Sequence, residues 1–188
     1  MRITIRLATP ADVPALKDLI ASSARALSRG YYTPAQTEAA IRFVFGVDSQ
    51  LIADGTYFVA VEDGVILACG GWSRRRTLYG GDQRPMGAGE ALDPICDAAR
   101  IRAFFVAGSH ARKGLGARLF RACAEAASRA GFTRLELMST LPGVPFYVKL
   151  GFAEVERITD TLPDGTSVDF VLMRRDAVPS ARRIADGR

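Results

Sequence analysis

The chain has 188 residues, a formal net charge of +5, and 48% hydrophobic and 24% charged residues. This length and composition favour one globular domain with a hydrophobic core. No apolar run approaches the roughly 20 residues that span a bilayer, and segment 1–12 lacks the apolar core of a signal peptide. We therefore expect a cytoplasmic protein with no membrane partner, one domain over residues 1–176, and a disordered tail over 177–188.

The first half of the chain predicts a strand, two helices and a hairpin. Alternating polar and apolar residues over 3–7 predict a strand. Thr9-Pro10 and Thr33-Pro34 each place a capping residue before a proline, which is typical of a helix start. Segment 56–61 is rich in β-branched and aromatic residues, and with the Glu-Asp-Gly turn and the returning strand 65–72 it predicts a β-hairpin.

Segment 73–97 shows no periodicity and predicts a long irregular connection, a class of loop that is usually functional or mobile. It begins with the basic cluster Arg74–Arg76. A basic cluster can bind nucleic acid, but neither an RNA-binding motif nor a zinc finger accompanies this one, and a solvated face is the commoner role. We therefore predict no nucleic-acid partner, and strongly salt-dependent affinity for DNA or RNA would contradict this.

The second half predicts a strand, a long helix, a strand, a short helical turn and a final hairpin. Four strands are predicted, at 101–106, 135–138, 152–158 and 167–173. The long helix opens at Gly114 and ends near Gly131, because glycine commonly stops a helix. A compact turn over 142–150 precedes the last two strands.

Metal and disulfide chemistry find little support in the sequence. Cys69, Cys96 and Cys123 are odd in number and far apart, and His110 is the only histidine. A structural zinc site needs about four nitrogen or sulfur ligands, so we predict no metal and free thiols. His110 is interpreted as an exposed loop residue, although a lone histidine can also act in catalysis.

The most informative segment is 104–119, where a strand leads through a loop into a helix. The first N–H groups of a helix lack internal partners, and the helix dipole favours an anion there. Gly114 and Gly116 let phosphates approach the backbone, and Arg112 and Lys113 add positive charge. Taken alone, the pattern also fits a turn whose glycines serve only its dihedral angles.

Two other phosphate-binding motifs can be excluded at this helix start. A P-loop requires Ser or Thr after its Gly-Lys pair, but Gly114 is followed by Leu115. A Rossmann site requires GxGxxG directly after the strand. Here seven residues intervene, and Leu119 occupies the position of the third glycine.

Segment 111–116, ARKGLG, resembles motif A of the GCN5-related N-acetyltransferase (GNAT) family, Q/R-x-x-G-x-G/A after a strand, although Ala111 replaces the Gln or Arg. Downstream, segment 145–152, PFYVKLGF, resembles the family's FYxKLGF element. The order of elements over 3–173 matches as well. The resemblance implies the acyl-CoA N-acyltransferase fold: α+β, with a mixed, mostly antiparallel twisted sheet of about six to seven strands and helices on both faces.

The resemblance also implies acetyl-CoA as co-substrate and a place for it. The pantetheine arm would pair with the strand ending at Val106 like an added strand, and the pyrophosphate would meet the helix N-terminus. The implied cofactor-binding residues are Phe104, Phe105, Val106, Arg112, Lys113, Gly114, Leu115, Gly116 and Ala117.

In the family's mechanism a neutral amine attacks the thioester directly. Tyr147 would be the catalytic acid that protonates the departing thiolate, since a phenol with a reference pKa of about 10 is protonated at neutral pH. The alternative is a core tyrosine. A backbone N–H on the Val106 strand would stabilise the oxyanion. Glu136 is the first candidate for the base that takes the proton of the amine, and a salt-bridged carboxylate is the alternative.

The sequence therefore predicts an N-acetyltransferase that acts on an amine of a small molecule, a peptide or a protein. A non-catalytic CoA-binding regulatory module is the alternative. The acceptor is not identified, although Tyr31-Tyr32 and segment 73–97 are candidates for lining its pocket. The oligomeric state also stays open, a homodimer included.

Overall fold

A computed structural model describes residues 3–84 and 89–176, and the predicted tail over 177–188 lies outside them. The described strands are β1 (Thr4–Leu7), β2 (Tyr57–Glu62), β3 (Val65–Ser73), β4 (Ala99–Val106), β5 (Arg134–Thr140), β6 (Ala153–Thr161) and β7 (Ser167–Asp176). The described α-helices are α1 (Val13–Leu27), α2 (Pro34–Phe43), α3 (Ser49–Ala53), α4 (Leu115–Arg129) and α5 (Val144–Lys149).

The seven strands form one sheet in the order β1-β2-β3-β4-β5-β7-β6. Every neighbouring pair is antiparallel except β4 and β5, which run parallel. Parallel neighbours need a crossover connection, and α4 provides it. The predicted fold class, a mixed and mostly antiparallel sheet with helices, is confirmed.

The helices cover both faces of the sheet because each presents one apolar stripe. The stripe of α1, with Leu16 and Ile20 fully buried, packs with α2 and α3 over the face that carries Tyr57 and Phe170. On the opposite face α4 and α5 pack over the rest of the sheet, and Cys123 is fully buried there. The chain thus forms three layers, with the central strand β4 in contact with both helical layers.

Local signals explain where two of the helices begin. Thr33 and Gln36 form the predicted capping box of α2, in which the Thr33 hydroxyl accepts from the Gln36 amide at 3.2 Å. The sequence did not predict the short helix α3. Its N-cap, Asp48, accepts from the Leu51 amide at 3.2 Å, but five residues are too few to show a helical period.

A bulge in β4 bends the strand at Ala103. Ala103 is not glycine, yet its φ is +54°, and the register between β3 and β4 shifts at this point. The Tyr57 hydroxyl holds the Ala103 carbonyl at 3.3 Å. Opposite the bulge, a Cβ on Gly70 of β3 would lie 2.6 Å from the ring of Phe104. Only glycine at position 70 therefore leaves room for the Phe104 ring to pack over β3. Tertiary contacts thus enforce the strained backbone.

The bend opens a gap between β4 and β5. The two strands pair only at their beginnings, at Ala99↔Leu135 and Arg100↔Glu136. On its other side β4 stays paired with β3 as far as Val106. One edge of the second half of β4 therefore faces a gap inside the sheet, with α4 starting beyond its end.

Candidate active site

The backbone of Val106 points into the gap. Phe105 lies opposite Cys69 of β3, and the Ala107 amide donates to the Leu67 carbonyl at 2.8 Å. Successive residues of an antiparallel strand direct their backbone groups to opposite sides. The N–H and C=O of Val106 therefore face away from β3, toward β5.

A serine on α1 occupies this backbone donor. The Val106 amide donates to the hydroxyl of Ser23 at 3.2 Å, and Ser23 is only 1% exposed. Sequence reasoning gave no role to Ser23, because a serine inside an amphipathic helix carries no signal of such a contact. The helical layer thus reaches the strand edge where the cofactor arm was predicted.

The loop after β4 leaves the N-terminus of α4 without a side-chain cap. Gly114 is the N-cap residue, with φ of +83°, and no side chain hydrogen bond covers the first turn. Arg112 also has a left-handed φ, +60°, and both Arg112 and Lys113 are exposed. The helix start thus has free backbone N–H groups in its first turn and two exposed basic residues directly before it, which are features of an anion site.

The two glycines of the motif differ in what they do. A Cβ on Gly114 would meet no atom within 4 Å, so the space beside it is open. A Cβ on Gly116 would lie 3.1 Å from the ring of Phe146 on α5. Gly116 is predicted to let phosphate approach the backbone, and its lack of a side chain also allows α4 to pack against α5.

Tyr147 lies beside the gap within an aromatic cluster. Its ring centroid is 6.5 Å from that of Phe104 on β4, 5.0 Å from that of Phe146, and 5.7 Å from that of Phe152. The residue is 9% exposed, and burial raises the pKa of its phenol above the usual value. Tyr147 is therefore a protonated donor next to the bend of β4, and it is packed in the core as well.

Glu136 lies at the closed end of the gap, which corrects the hypothesis that it is the base. It faces Arg100, at the last pair of residues that joins β4 to β5. Its two carboxylate oxygens accept from Arg100 and from Arg174 of β7, and its side chain is only 8% exposed. Both carboxylate oxygens are thus engaged by guanidinium groups, and the salt-bridged carboxylate, which was the alternative, joins three neighbouring strands.

Glu136→Gln is expected to lower stability and to spare chemistry. Losing the charge leaves Arg100 buried without its partner, which should cost about 3 kcal/mol in the free energy of unfolding. Denaturant titration measures this, with Glu154→Gln as a control, because Glu154 is half-exposed and lies 3.8 Å from Arg157. A variant of normal stability with a large loss of turnover would restore the role of base.

The irregular connection after β3 lies across the α1–α3 face of the sheet. Within it, residues 79–84, here named the strap, are held at both ends. The Tyr79 ring packs on Phe170 at 5.5 Å and its hydroxyl donates to Asp160 at 3.0 Å, while Arg84 also pairs with Asp160. Residues 85–88 lie outside the described ranges. The strap therefore covers part of the face from which an acceptor would reach the gap.

Most of the other candidate residues make structural hydrogen bonds or ion pairs. Tyr32 is buried, and its hydroxyl donates to the Asp169 carbonyl at 2.6 Å, whereas Tyr31 is 50% exposed. In the basic cluster, Arg75 pairs with Asp54 at 2.7 Å and Arg76 with Glu90 at 3.2 Å. The basic charge of the cluster is thus largely balanced by acids.

The described part of the chain holds neither a cluster of metal ligands nor a membrane-spanning helix. Within 3–84 and 89–176, no three His, Cys, Asp or Glu side chains come together in a way that could hold a metal ion. In the same ranges no helix has both the length and the apolarity needed to cross a membrane.

The model of the acetyltransferase (GNAT) family matches residues 21–152, which is most of the chain. The chain belongs to the acetyltransferase (GNAT) family. Membership confirms the predicted class of enzyme, an acetyltransferase with acetyl-CoA as donor. The match runs from α1 through α5 and includes both motifs. No curated protein sequence matches the chain significantly.

Solved structures share the fold of this GNAT chain at low sequence identity. A GCN5-related N-acetyltransferase from Rhodopseudomonas palustris aligns with a TM-score of 0.69 and 18% identity over 94% of this chain and 96% of its own. PaiA N-acetyltransferase from Thermoplasma acidophilum, in complex with coenzyme A, aligns with a TM-score of 0.62 and 14% identity over 94% of this chain and 99% of its own. YncA from Salmonella typhimurium, with its cofactor acetyl-CoA, aligns with a TM-score of 0.61 and 18% identity over 98% of this chain and 99% of its own.

Proposed function

We propose that this enzyme transfers an acetyl group from acetyl-CoA to an amine by direct attack, in the gap between β4 and β5. The observation that carries the proposal is the exposed edge of β4, which leads straight to the uncapped N-terminus of α4. An extended chain with amide groups can pair with such an edge as a strand would. An anion at the end of that chain would then meet the helix N-terminus.

The two ends of the cofactor fit the two ends of this groove. Phe104, Phe105 and Val106 are partly buried along the edge, and the Val106 backbone faces the gap, so these residues would hold the pantetheine arm. The pyrophosphate would accept from the backbone N–H groups of 112–117, with Arg112 and Lys113 adding charge. Of the structures that share this fold, PaiA was solved with coenzyme A and YncA with acetyl-CoA. These two complexes support the same ligand for this enzyme.

The chemistry follows from what lies beside the arm. The amine nitrogen forms a bond to the thioester carbon, the carbon–sulfur bond breaks, and the sulfur leaves as a thiolate. A backbone N–H of β4 stabilises the oxyanion. Tyr147, held in its protonated form by the raised pKa, gives its proton to the thiolate. The proton released by the amine passes to water and restores the phenol.

The acceptor would approach from the α1–α3 face, where a cavity lies close to β4. A cavity of about 360 Å³ lies on that face between α1, α2 and the strap, and Phe45, Lys17 and Arg42 are among the residues that line it. The Phe45 ring lies 5.8 Å from that of Phe105 on β4. A volume of this order suits a small molecule or a single side chain, so we propose a small-molecule or peptide amine.

Thiol release from acetyl-CoA in the presence of a library of amines tests the proposal. We expect turnover with at least one primary amine and raised thermal stability with CoA alone. Tight acetyl-CoA binding without turnover on any amine, together with no effect of Tyr147→Phe, would instead indicate a CoA-binding module. A chain that binds neither CoA nor acetyl-CoA would contradict the placement of the site.

A further inference from the structure

The hydrogen bond between Ser23 and Val106 is unusual for a helical serine. Such a side chain generally faces solvent or bonds back to a carbonyl of its own helix. Its neighbour Ser22 does this, donating to the Leu19 carbonyl at 3.1 Å. The Ser23 hydroxyl instead accepts from the backbone amide of Val106 in β4, 83 residues away in sequence, and Ser23 is only 1% exposed.

The donor that Ser23 occupies is the one that the cofactor needs. An amide N–H carries one proton and makes one good hydrogen bond. Under the proposed function, on which this inference rests, a carbonyl oxygen of the pantetheine arm pairs with the Val106 N–H. The serine oxygen and the cofactor oxygen cannot both occupy the position 3.2 Å or less from that nitrogen.

We infer that Ser23 stands in for the cofactor's carbonyl oxygen in the free enzyme and releases the Val106 N–H when CoA binds. In the free enzyme the hydrogen bond to Ser23 satisfies the Val106 N–H, and this hydrogen bond is lost when CoA binds. Ser23 therefore sets the affinity for the cofactor by competing with it. Because CoA and acetyl-CoA share the pantetheine arm, the competition acts equally on the substrate and on the released product.

The exchange requires only a local movement. Rotation about the Cα–Cβ bond of Ser23 can return its hydroxyl to a carbonyl one turn earlier in α1, as Ser22 already shows. The helix itself packs closely against the loop after β4, since a Cβ on Gly108 would lie 2.9 Å from the methyl group of Ala26. The serine can thus leave the gap while α1 stays in place.

Calorimetric titration of CoA into wild type, Ser23→Ala and Ser22→Ala tests this inference. In Ser23→Ala the Val106 donor is free of its competitor, and we expect the Kd for CoA to fall about tenfold, the equivalent of about 1.4 kcal/mol. Without ligand its thermal midpoint should drop by about 3 °C. At saturating CoA that deficit should vanish, because the bound states no longer differ at this bond. Ser22→Ala should match wild type.

A second variant covers the case in which Ser23→Ala fails to fold. Ser23→Cys keeps nearly the size of the side chain, but its thiol accepts a hydrogen bond more weakly than a hydroxyl. Its Kd for CoA should therefore lie between those of wild type and Ser23→Ala. Equal or weaker CoA binding by either variant, with wild type binding normally, would overturn the inference. Wild type that does not bind CoA would overturn the proposed function instead.

Discussion

Gly114→Glu is expected to abolish binding of acetyl-CoA while leaving the fold intact. The residue is the N-cap of α4, and the space beside it is open, so a longer side chain fits without a clash. It would place a carboxylate where the pyrophosphate is proposed to bind. Like charges brought together in a binding site cost several kcal/mol, so isothermal titration should show a loss of at least about 100-fold.

A matched control separates charge from backbone strain. Gly165, in the turn between β6 and β7, has φ of +84° against +83° for Gly114, and a Cβ there also meets nothing within 4 Å. Gly165→Glu therefore carries the same strain and the same charge away from the gap. It should bind acetyl-CoA like wild type. Unchanged affinity in a folded Gly114→Glu variant would mean that the phosphates bind elsewhere.

Tyr147→Phe is expected to lower kcat by about 10²–10³-fold. The KM for acetyl-CoA should change little, because the phenol acts on a thiolate that forms only as the reaction proceeds. Phenylalanine keeps the ring contacts with Phe104, Phe146 and Phe152, so the thermal midpoint should stay close to that of wild type. Tyr31→Phe, at a 50% exposed position, is the control.

The pH dependence gives a second readout for Tyr147. The acid must carry its proton, and its raised folded-state pKa means that the proton is retained as pH rises past the usual phenol value. Deprotonation of the amine favours the reaction over the same range. The wild-type rate should therefore rise with pH and then stay level beyond pH of about 10. A fall near that pH would mean that the phenol has an ordinary pKa, and an unaffected kcat in Tyr147→Phe would assign the proton to another donor.

The elements with strong local signals could be predicted from the sequence. Thr33-Pro34 with Gln36 specifies the start of α2 by hydrogen bonds within four residues. The β-branched and aromatic residues of β2, followed by a Glu-Asp-Gly turn, indicate the hairpin of β2 and β3. The start of α4 at Gly114 was also predictable, since glycines after a strand and before an apolar periodic segment indicate a turn into a helix. Each of these features depends on residues that are close in sequence.

The parts that could not be predicted depend on contacts distant in sequence. The bulge at Ala103 is imposed by Tyr57 and by the place that Gly70 leaves, and alanine itself gives no hint of a positive φ. Glu136 looked available because its two arginine partners lie 36 and 38 residues away. Ser23 carried no local signal at all. Packing against remote strands decided each of these cases.

The gap between β4 and β5 has a consequence for how the protein behaves when acetyl-CoA is scarce. An open strand edge is a template for any extended peptide, and proteins usually guard such edges at the margins of a sheet. Here the open edge lies in the middle, guarded at Val106 by one serine hydroxyl. With the proposed cofactor paired to it, this edge of β4 would no longer be open to an extended peptide, so the cofactor would protect the edge as well as supply the acetyl group.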